Sequence, residues 1–305
     1  MKNLTVLVSL TNDDNDYQVE QAVAAREAGR QLGITVQILH AGNDAINQSQ
    51  QLLKAIQSGP RPDAIVFEPA GTTALAQVAR AAVSAGIGWV VMNWETDYIS
   101  DLRKNAAAPV FALTSDHLEV GRIQGRQIAA LLPNGGCVLY IQGPSASTAA
   151  KQRSEGLFES KPGNVEIRAL RGQWTEESAT RAVTSWLSLS TSRQTTIDLV
   201  AAQDDSMAMG ARRGFEHASA GQRQEWIHLP FIGCDGLPNT GRGWVDSGLL
   251  AATVIIPPNA GLALRLLADA YRTGAMPEPF VYTEALSYPP AADLLSRARS
   301  QTAAR

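Results

Sequence analysis

Along this chain, short runs of apolar and β-branched residues alternate with longer stretches in which apolar positions recur every three or four residues. The short runs predict strands at Leu4–Leu10, Ile34–His40, Ala64–Phe67, Gly88–Met92, Val110–Leu113, Cys137–Ile141, Val165–Leu170, Ile197–Ala202, Leu229–Gly233 and Ala251–Ile255. Helices fill most of the gaps. The stretch 72–85 carries Leu75, Val78, Ala79, Ala82 and Val83 on one stripe and stops at Gly86. The helix from about 117 opens on Asp116 with Glu119 three positions on, close to a capping box. Its Gly121 and Gly125 share a face and imply close packing against a neighbour. Strand and helix alternating along nearly the whole length call for parallel sheets covered by helices on both faces.

The alternation comes in two runs, roughly 4–92 and 137–236, with no repeat of 20 to 50 residues between them. The polar stretch Glu95–Ala108 interrupts it, which puts the boundary between two lobes near 110–116. Two lobes also suit the length, because 305 residues exceed what one hydrophobic core ordinarily serves. A net charge of -3 provides no general attraction to phosphate backbones or anionic lipid, which argues against nucleic-acid binding. No apolar run approaches the roughly 18 to 20 residues that span a bilayer. Met1–Leu10 reads as a first strand rather than a signal peptide, so either a leader was removed or the protein stays inside the cell. Cys137 and Cys234 fall in predicted buried strands, where a free thiol acts as a small hydrophobe. The four histidines show no ligand spacing, so a zinc site has no support and no cofactor is expected.

Patterns for catalysis are missing. Gly143-Pro144-Ser145-Ala146-Ser147 lacks the closing glycine of a nucleophile elbow, and neither a P-loop nor a dinucleotide fingerprint is present. Binding has more to work with. The strands at 197–202 and 229–233 both lead into acidic residues, Asp204-Asp205 and Asp235, and so gather carboxylates along one sheet edge. In open parallel sheets that edge is where ligands bind.

The wording of these segments goes further. Ala202-Gln203-Asp204-Asp205-Ser206-Met207-Ala208-Met209-Gly210-Ala211 and Ile232-Gly233-Cys234-Asp235-Gly236 resemble two signatures of periplasmic sugar-binding proteins of the ribose-binding type. The sugar-sensing domains of lactose-repressor-type regulators share them. The resemblance covers about residues 4 to 285 with its motifs in order. It implies two similar doubly wound α/β lobes joined by a three-strand hinge, a periplasmic binding protein fold of type I. The lobes would comprise 1–114 plus 257–283 and 115–256 plus 284–305, with the ligand cleft between them and a last crossing near Val281–Leu286.

It also implies site residues. Asn15, Tyr17 and Gln18 fall where the family places an Asn and two aromatics around the sugar, in a loop two residues longer here. Asn93 and Trp94 replace an Asp-Arg pair; Trp94 is either core or a stacking surface for the C–H face of a sugar. Arg153, in the helix start Ala149-Ala150-Lys151-Gln152-Arg153, matches the family's sugar-binding Arg, whose fork of donors holds two hydroxyls. Trp174 takes the place of a Phe, Asp204 that of an Asn, and Asp235 matches directly. Ile256 stands where the ribose type has a ligand-touching Gln. Asp205 is better explained as a helix N-cap. Two carboxylates against one guanidinium leave a net negative site, which disfavours a sugar acid or phosphate and suits a neutral sugar or polyol.

The expected function is therefore that of a non-catalytic solute-binding protein. It would act as a monomer, closing on a small neutral sugar or polyol and presenting it to an ABC transporter or sensor in the membrane, without inserting there itself. It would be periplasmic if a leader was removed and cytoplasmic if Met1 is the native start. The alternative is the effector domain of a lactose-repressor-type regulator, which ordinarily carries about 60 residues of DNA-binding headpiece before the first strand. A third class, an enzyme using Asp204 and Asp235 as acid and base, is separated by assaying for product.

Overall fold

The computed structural model describes residues 3–71, 75–217 and 224–295. All ten expected strands form, most within two residues of the expected ends: β1 Thr5–Leu10, β2 Thr35–His40, β3 Ala64–Phe67, β4 Gly88–Met92, β5 Val110–Ser115, β6 Gly136–Gln142, β7 Val165–Arg171, β8 Leu199–Ala202, β9 Phe231–Asp235 and β10 Ala252–Ile255. Two more, β11 Phe280–Thr283 and β12 Leu286–Tyr288, occupy the stretch expected only as a crossing. The helices are α1 Asp16–Leu32, α2 Ala45–Gln57, α3 Ala76–Ser84, α4 Tyr98–Arg103, α5 His117–Leu131, α6 Thr148–Ser160, α7 Glu176–Leu187, α8 Ser190–Arg193, α9 Asp205–Glu216, α10 Gly243–Asp246 and α11 Asn259–Thr273. Among the described residues none is long and apolar enough to cross a membrane.

The chain divides into two compact units, Met1–Ser115 with Pro258–Thr283 and Asp116–Pro257 with Glu284–Arg305. It passes between them three times, after β5, after β10 and after β11. The first lobe holds a sheet in the order β11-β5-β4-β3-β1-β2, every neighbouring pair parallel. The second holds β12-β10-β9-β8-β6-β7, parallel except for the pair β10 and β12.

Strands that read as continuous apolar runs are buried on both faces, as parallel sheets require. In the first lobe Val6, Val8, Ala64, Val66, Val90 and Met92 point to the face covered by α1 and α11, where Ala25, Ala263 and Leu264 meet them. The alternate positions Leu7, Ile65, Phe67, Trp89 and Val91 point to the other, against Leu52 and Ile56 of α2, Ala79 and Ala82 of α3 and Ile99 of α4. The second lobe repeats the plan. Leu139 and Ile141 pack on Val183 of α7 with Met207 and Phe215 of α9, and Val138 and Tyr140 on Ile128 of α5 and Leu157 of α6. Each such fully buried large side chain contributes roughly 1.5 to 3 kcal/mol.

Three local expectations need correction. The helix expected over 72–85 runs from Ala76, because Leu75 adopts a left-handed backbone at φ 50° that ends helical propagation; positions 72–74 lie outside the described residues, as do 1–2 and 296–305 of the expected lobes. Asp116 caps α5 through the Glu119 N–H at 2.9 Å, but the Glu119 carboxylate turns to Arg126 and Arg122 instead of closing a capping box. Cys234 is buried as expected, whereas Cys137 is only half-buried.

Candidate functional site

Parallel pairing puts the carboxyl ends of neighbouring strands on one edge of each sheet, and the residues just beyond those ends are the ones the chain can aim outward without disturbing the core. In the second lobe this edge carries a compact charged group. Arg153, in the second turn of α6, is 6% exposed. Its Nη1 donates to the Gln203 carbonyl and lies 3.8 Å from Asp235 Oδ1, and its guanidinium stacks 5.4 Å from the centre of the Trp174 ring. Its Nε lies 3.5 Å from His117 Nδ1. Burial and the neighbouring guanidinium hold the His117 ring well below its ordinary pKa, so it stays neutral and offers Nδ1 as an acceptor.

Close packing fixes that Arg. A Cβ on Gly121 of α5 would lie 2.1 Å from the Arg153 carbonyl oxygen, so only glycine lets α5 and α6 approach this closely. The close packing inferred from Gly121 is thus the device that seats Arg153. Trp174 lies so close to Gly143 that a Cβ there would meet the ring at 2.4 Å. Gln203, fully buried, braces the turn: Oε1 accepts from Gly143 N at 2.7 Å, while Nε2, with two hydrogens to give, lies 2.8 to 3.0 Å from Tyr140 Oη, Ala150 O and Ser154 Oγ.

The adjacent acids exchange the roles expected of them. Asp204, not Asp205, is the N-cap of α9: its backbone is extended and Oδ1 accepts from Met207 N at 2.5 Å. Asp205, the first helical residue, turns into the lobe and accepts from Thr253 Oγ1 and Gly236 N, both at 2.7 Å. Burial pushes its carboxyl up to about 8 against the lowering effect of those two bonds. A buried, mainly protonated Asp205 therefore ties α9 to β10 and to the turn after β9 and adds little charge at neutral pH. Two consecutive Asp residues satisfy the capping pattern in either register, and the distant partners of Asp205, Thr253 and Gly236, decide between them.

At the corresponding edge of the first lobe the expected site groups are amides and aromatics, with the Glu68 carboxylate beside them. Asn15 caps α1, its Oδ1 accepting from Tyr17 N at 3.0 Å and Gln18 N at 3.2 Å. Gln18 is buried, and its Oε1 accepts from Thr11 N at 3.2 Å, closing the long loop after β1. Tyr17 is half-buried beside it. Beyond β4, Asn93 Nδ2 donates to Glu68 Oε2 at 3.0 Å and its Oδ1 accepts from Asn259 Nδ2 at 2.7 Å. Trp94 rests part of its ring on the cluster of Phe67, Trp89 and Ile99. The groups at 15–18 and at 93–94 stand apart, on the ends of β1 and β4 with β3 between.

In the second lobe Arg153, Trp174, Asp204 and Asp235 are brought together. Ile256 joins them through its backbone, donating to the Asp235 carbonyl at 3.0 Å, while its side chain is 1% exposed. Only five described non-glycine residues have left-handed backbones, and Asn93 (φ 54°), Trp174 (φ 61°) and Asp235 (φ 99°) are three of them. Such strain persists where surrounding structure over-determines it, and it clusters at ligand sites. Sequence reasoning missed Glu68, Gln203, His117 and Asn259. Glu68 and Gln203 were legible as the polar residues following β3 and β8 on that edge of their sheets; nothing local marked the other two.

A family model described as a periplasmic binding protein domain matches residues 6–274. The chain is similar to the D-allose-binding periplasmic protein of Escherichia coli, 26% identical over 273 residues covering 88% of this chain and 84% of that one. It is similar to the ribose import binding protein of Salmonella typhimurium, 24% identical over 255 residues covering 84% and 80%. Among solved structures it superposes on the Caulobacter myo-inositol binding protein with a TM-score of 0.79 at 21% identity, covering 96% of this chain and 95% of that one.

Proposed function

The chain belongs to the periplasmic binding protein domain family, and from that membership and the strand-end residues we propose that it binds a small neutral sugar or polyol through Asn15, Tyr17, Gln18, Asn93 and Trp94 of one lobe and Arg153, Trp174, Asp204, Asp235 and Ile256 of the other. It is a binding protein, not an enzyme, and hands its ligand to a membrane transporter or sensor. We place it in the periplasm, from its membership of that family. The observation that carries the reading is the buried Arg153, stacked on Trp174 and facing Asp235, with both of those residues held in left-handed backbone.

The chemistry follows from that arrangement. An aromatic face takes the C–H side of a sugar ring, and a guanidinium flanked by carboxylates takes its hydroxyls, each carboxylate accepting where the guanidinium donates. Asp204 and Asp235 outweigh Arg153 and repel an anionic ligand. The relatives are named for a hexose and a pentose, and the structural neighbour for a cyclic polyol. Thermal unfolding with D-allose, D-ribose, xylitol, myo-inositol and ribose 5-phosphate tests the reading. A neutral ligand at 100 times its Kd adds about 2.7 kcal/mol of stability, and small-angle scattering should give a smaller radius of gyration at saturation. A shift with the phosphate alone, or with none of the neutral compounds, overturns the proposal.

A further inference from the structure

Five side chains of the first lobe form one continuous hydrogen-bond chain. Ser115 Oγ and Thr283 Oγ1 are 2.9 Å apart, Thr283 Oγ1 lies 3.1 Å from Asn259 Oδ1, Asn259 Nδ2 lies 2.7 Å from Asn93 Oδ1, and Asn93 Nδ2 lies 3.0 Å from Glu68 Oε2. The direction of every bond follows from its end. The Glu68 oxygen accepts from Asn93, so Asn93 presents its amino group there and its carbonyl to Asn259. Asn259 then presents its own carbonyl to Thr283, whose hydroxyl donates and so must accept from Ser115. A chain of donors aligned in one sense is mutually polarised, and reversing one amide breaks two bonds at once. Asn259 and Ser115 are within 1% of complete burial, so water does not readily replace a lost partner there.

The members also have a common address. Ser115 is the last residue of the lobe before the first crossing, Asn259 is the second residue after the next, and Thr283 is the last before the third. One polar chain thus reaches from the pocket residue Asn93 to the first-lobe end of all three crossings. We propose that Asn259 is a positioning residue for ligand recognition: acting through Asn93, it fixes which face of that amide meets the ligand, and it carries the state of the pocket to the crossing segments. The proposal rests on the assignment of Asn93 to the ligand site. Coupling of this kind is reciprocal, so disturbing either end is felt at the other.

Two measurements on the full chain test it. Hydrogen exchange needs no ligand: Asn93→Gly, tolerated by the left-handed backbone at that position, removes the amide and should raise exchange roughly threefold to tenfold at 257–261 and 281–285, with β6 of the other lobe unchanged. An increase confined to the neighbourhood of residue 93 overturns the relay. Thr283→Val cuts the far end without touching the pocket and should weaken the tightest binder among D-allose, D-ribose, xylitol and myo-inositol by roughly threefold to tenfold, while Thr283→Ser keeps the parent affinity. Equal affinity of the Val variant, or an equal loss in the Ser variant, overturns the positioning role. If the parent binds none of the four, the proposed function fails by itself, and exchange still decides the relay.

Discussion

The two lobes are built on one strand order and differ in what they hang on it. From edge to edge, β2-β1-β3-β4-β5-β11 in the first matches β7-β6-β8-β9-β10-β12 in the second. The last strand, β11, is parallel to its neighbour in the first lobe, and β12 is antiparallel in the second; only Glu284 and Ala285 separate the two in the chain. At the carboxyl edge the contrast is chemical. The first lobe presents Asn15, Tyr17, Asn93 and Trp94; the second presents Arg153, Asp204 and Asp235 around Trp174. The scaffold is therefore neutral toward chemistry, and the residue after each strand end decides it. Buried charges must be held by partners, so the second lobe needs rigid support. Amides and half-buried rings need less, and the first lobe is where specificity can drift at small cost in stability.

Four substitutions put that contrast at risk. The largest effect belongs to Asp235→Asn, which leaves Arg153 partly unpaired in a desolvated site; calorimetric affinity for the best ligand should fall by roughly 2 to 4 kcal/mol. A variant that binds like the parent would remove the charged group from the site. Gly121→Ala drives a methyl into the Arg153 carbonyl and should cost about 1 to 3 kcal/mol in urea unfolding, with a loss of affinity beyond what instability explains. A stable variant with parent affinity would show that the close helix crossing does not seat the Arg.

Asp205 makes the second lobe sensitive to pH. Its folded pKa is raised from 3.8 to about 8, so the folded chain holds a proton that the unfolded chain has released between those values. Its stabilising contribution is complete below pH 3.8 and is lost as pH rises through about 8, at up to roughly 1.4 kcal/mol per pH unit. Unfolding free energies of the parent minus those of Asp205→Asn should accordingly decline from pH 5 to pH 8, and a constant difference would refute the buried acid. The smallest effect on folding is expected of Trp94→Arg, within about 1 kcal/mol because the ring is only partly packed. It should nonetheless reorder the sugar panel; an unchanged ranking would return Trp94 to the core.

Much of this molecule was written locally. Apolar runs of four to seven residues, broken by polar and glycine-rich turns, located ten strands because burial on both faces of a parallel sheet demands such runs. The ends of those runs pointed to Asp204 and Asp235, since a parallel sheet gathers its carboxyl ends on one edge, and the family resemblance added Asn93 and Trp174. The sequence also marked Arg153, which the fold sets beside Trp174 and Asp235. What it left open depended on partners far along the chain. Whether Asp204 or Asp205 caps α9 turns on Thr253 and Gly236, 48 and 31 residues away from the buried carboxylate. The strands β11 and β12 are only four and three residues long, with exposed positions in both, so their pairing with β5 and β10 supplies what their own pattern lacks. Asn259 reads locally as an ordinary helix start after two prolines. Its place in a polar chain exists only because Asn93, 166 positions earlier, stands opposite it. Periodicity is a property of neighbours in sequence and survives being read one segment at a time; a buried hydrogen bond is fixed only when two distant segments have already packed, and so the tertiary structure alone decides it.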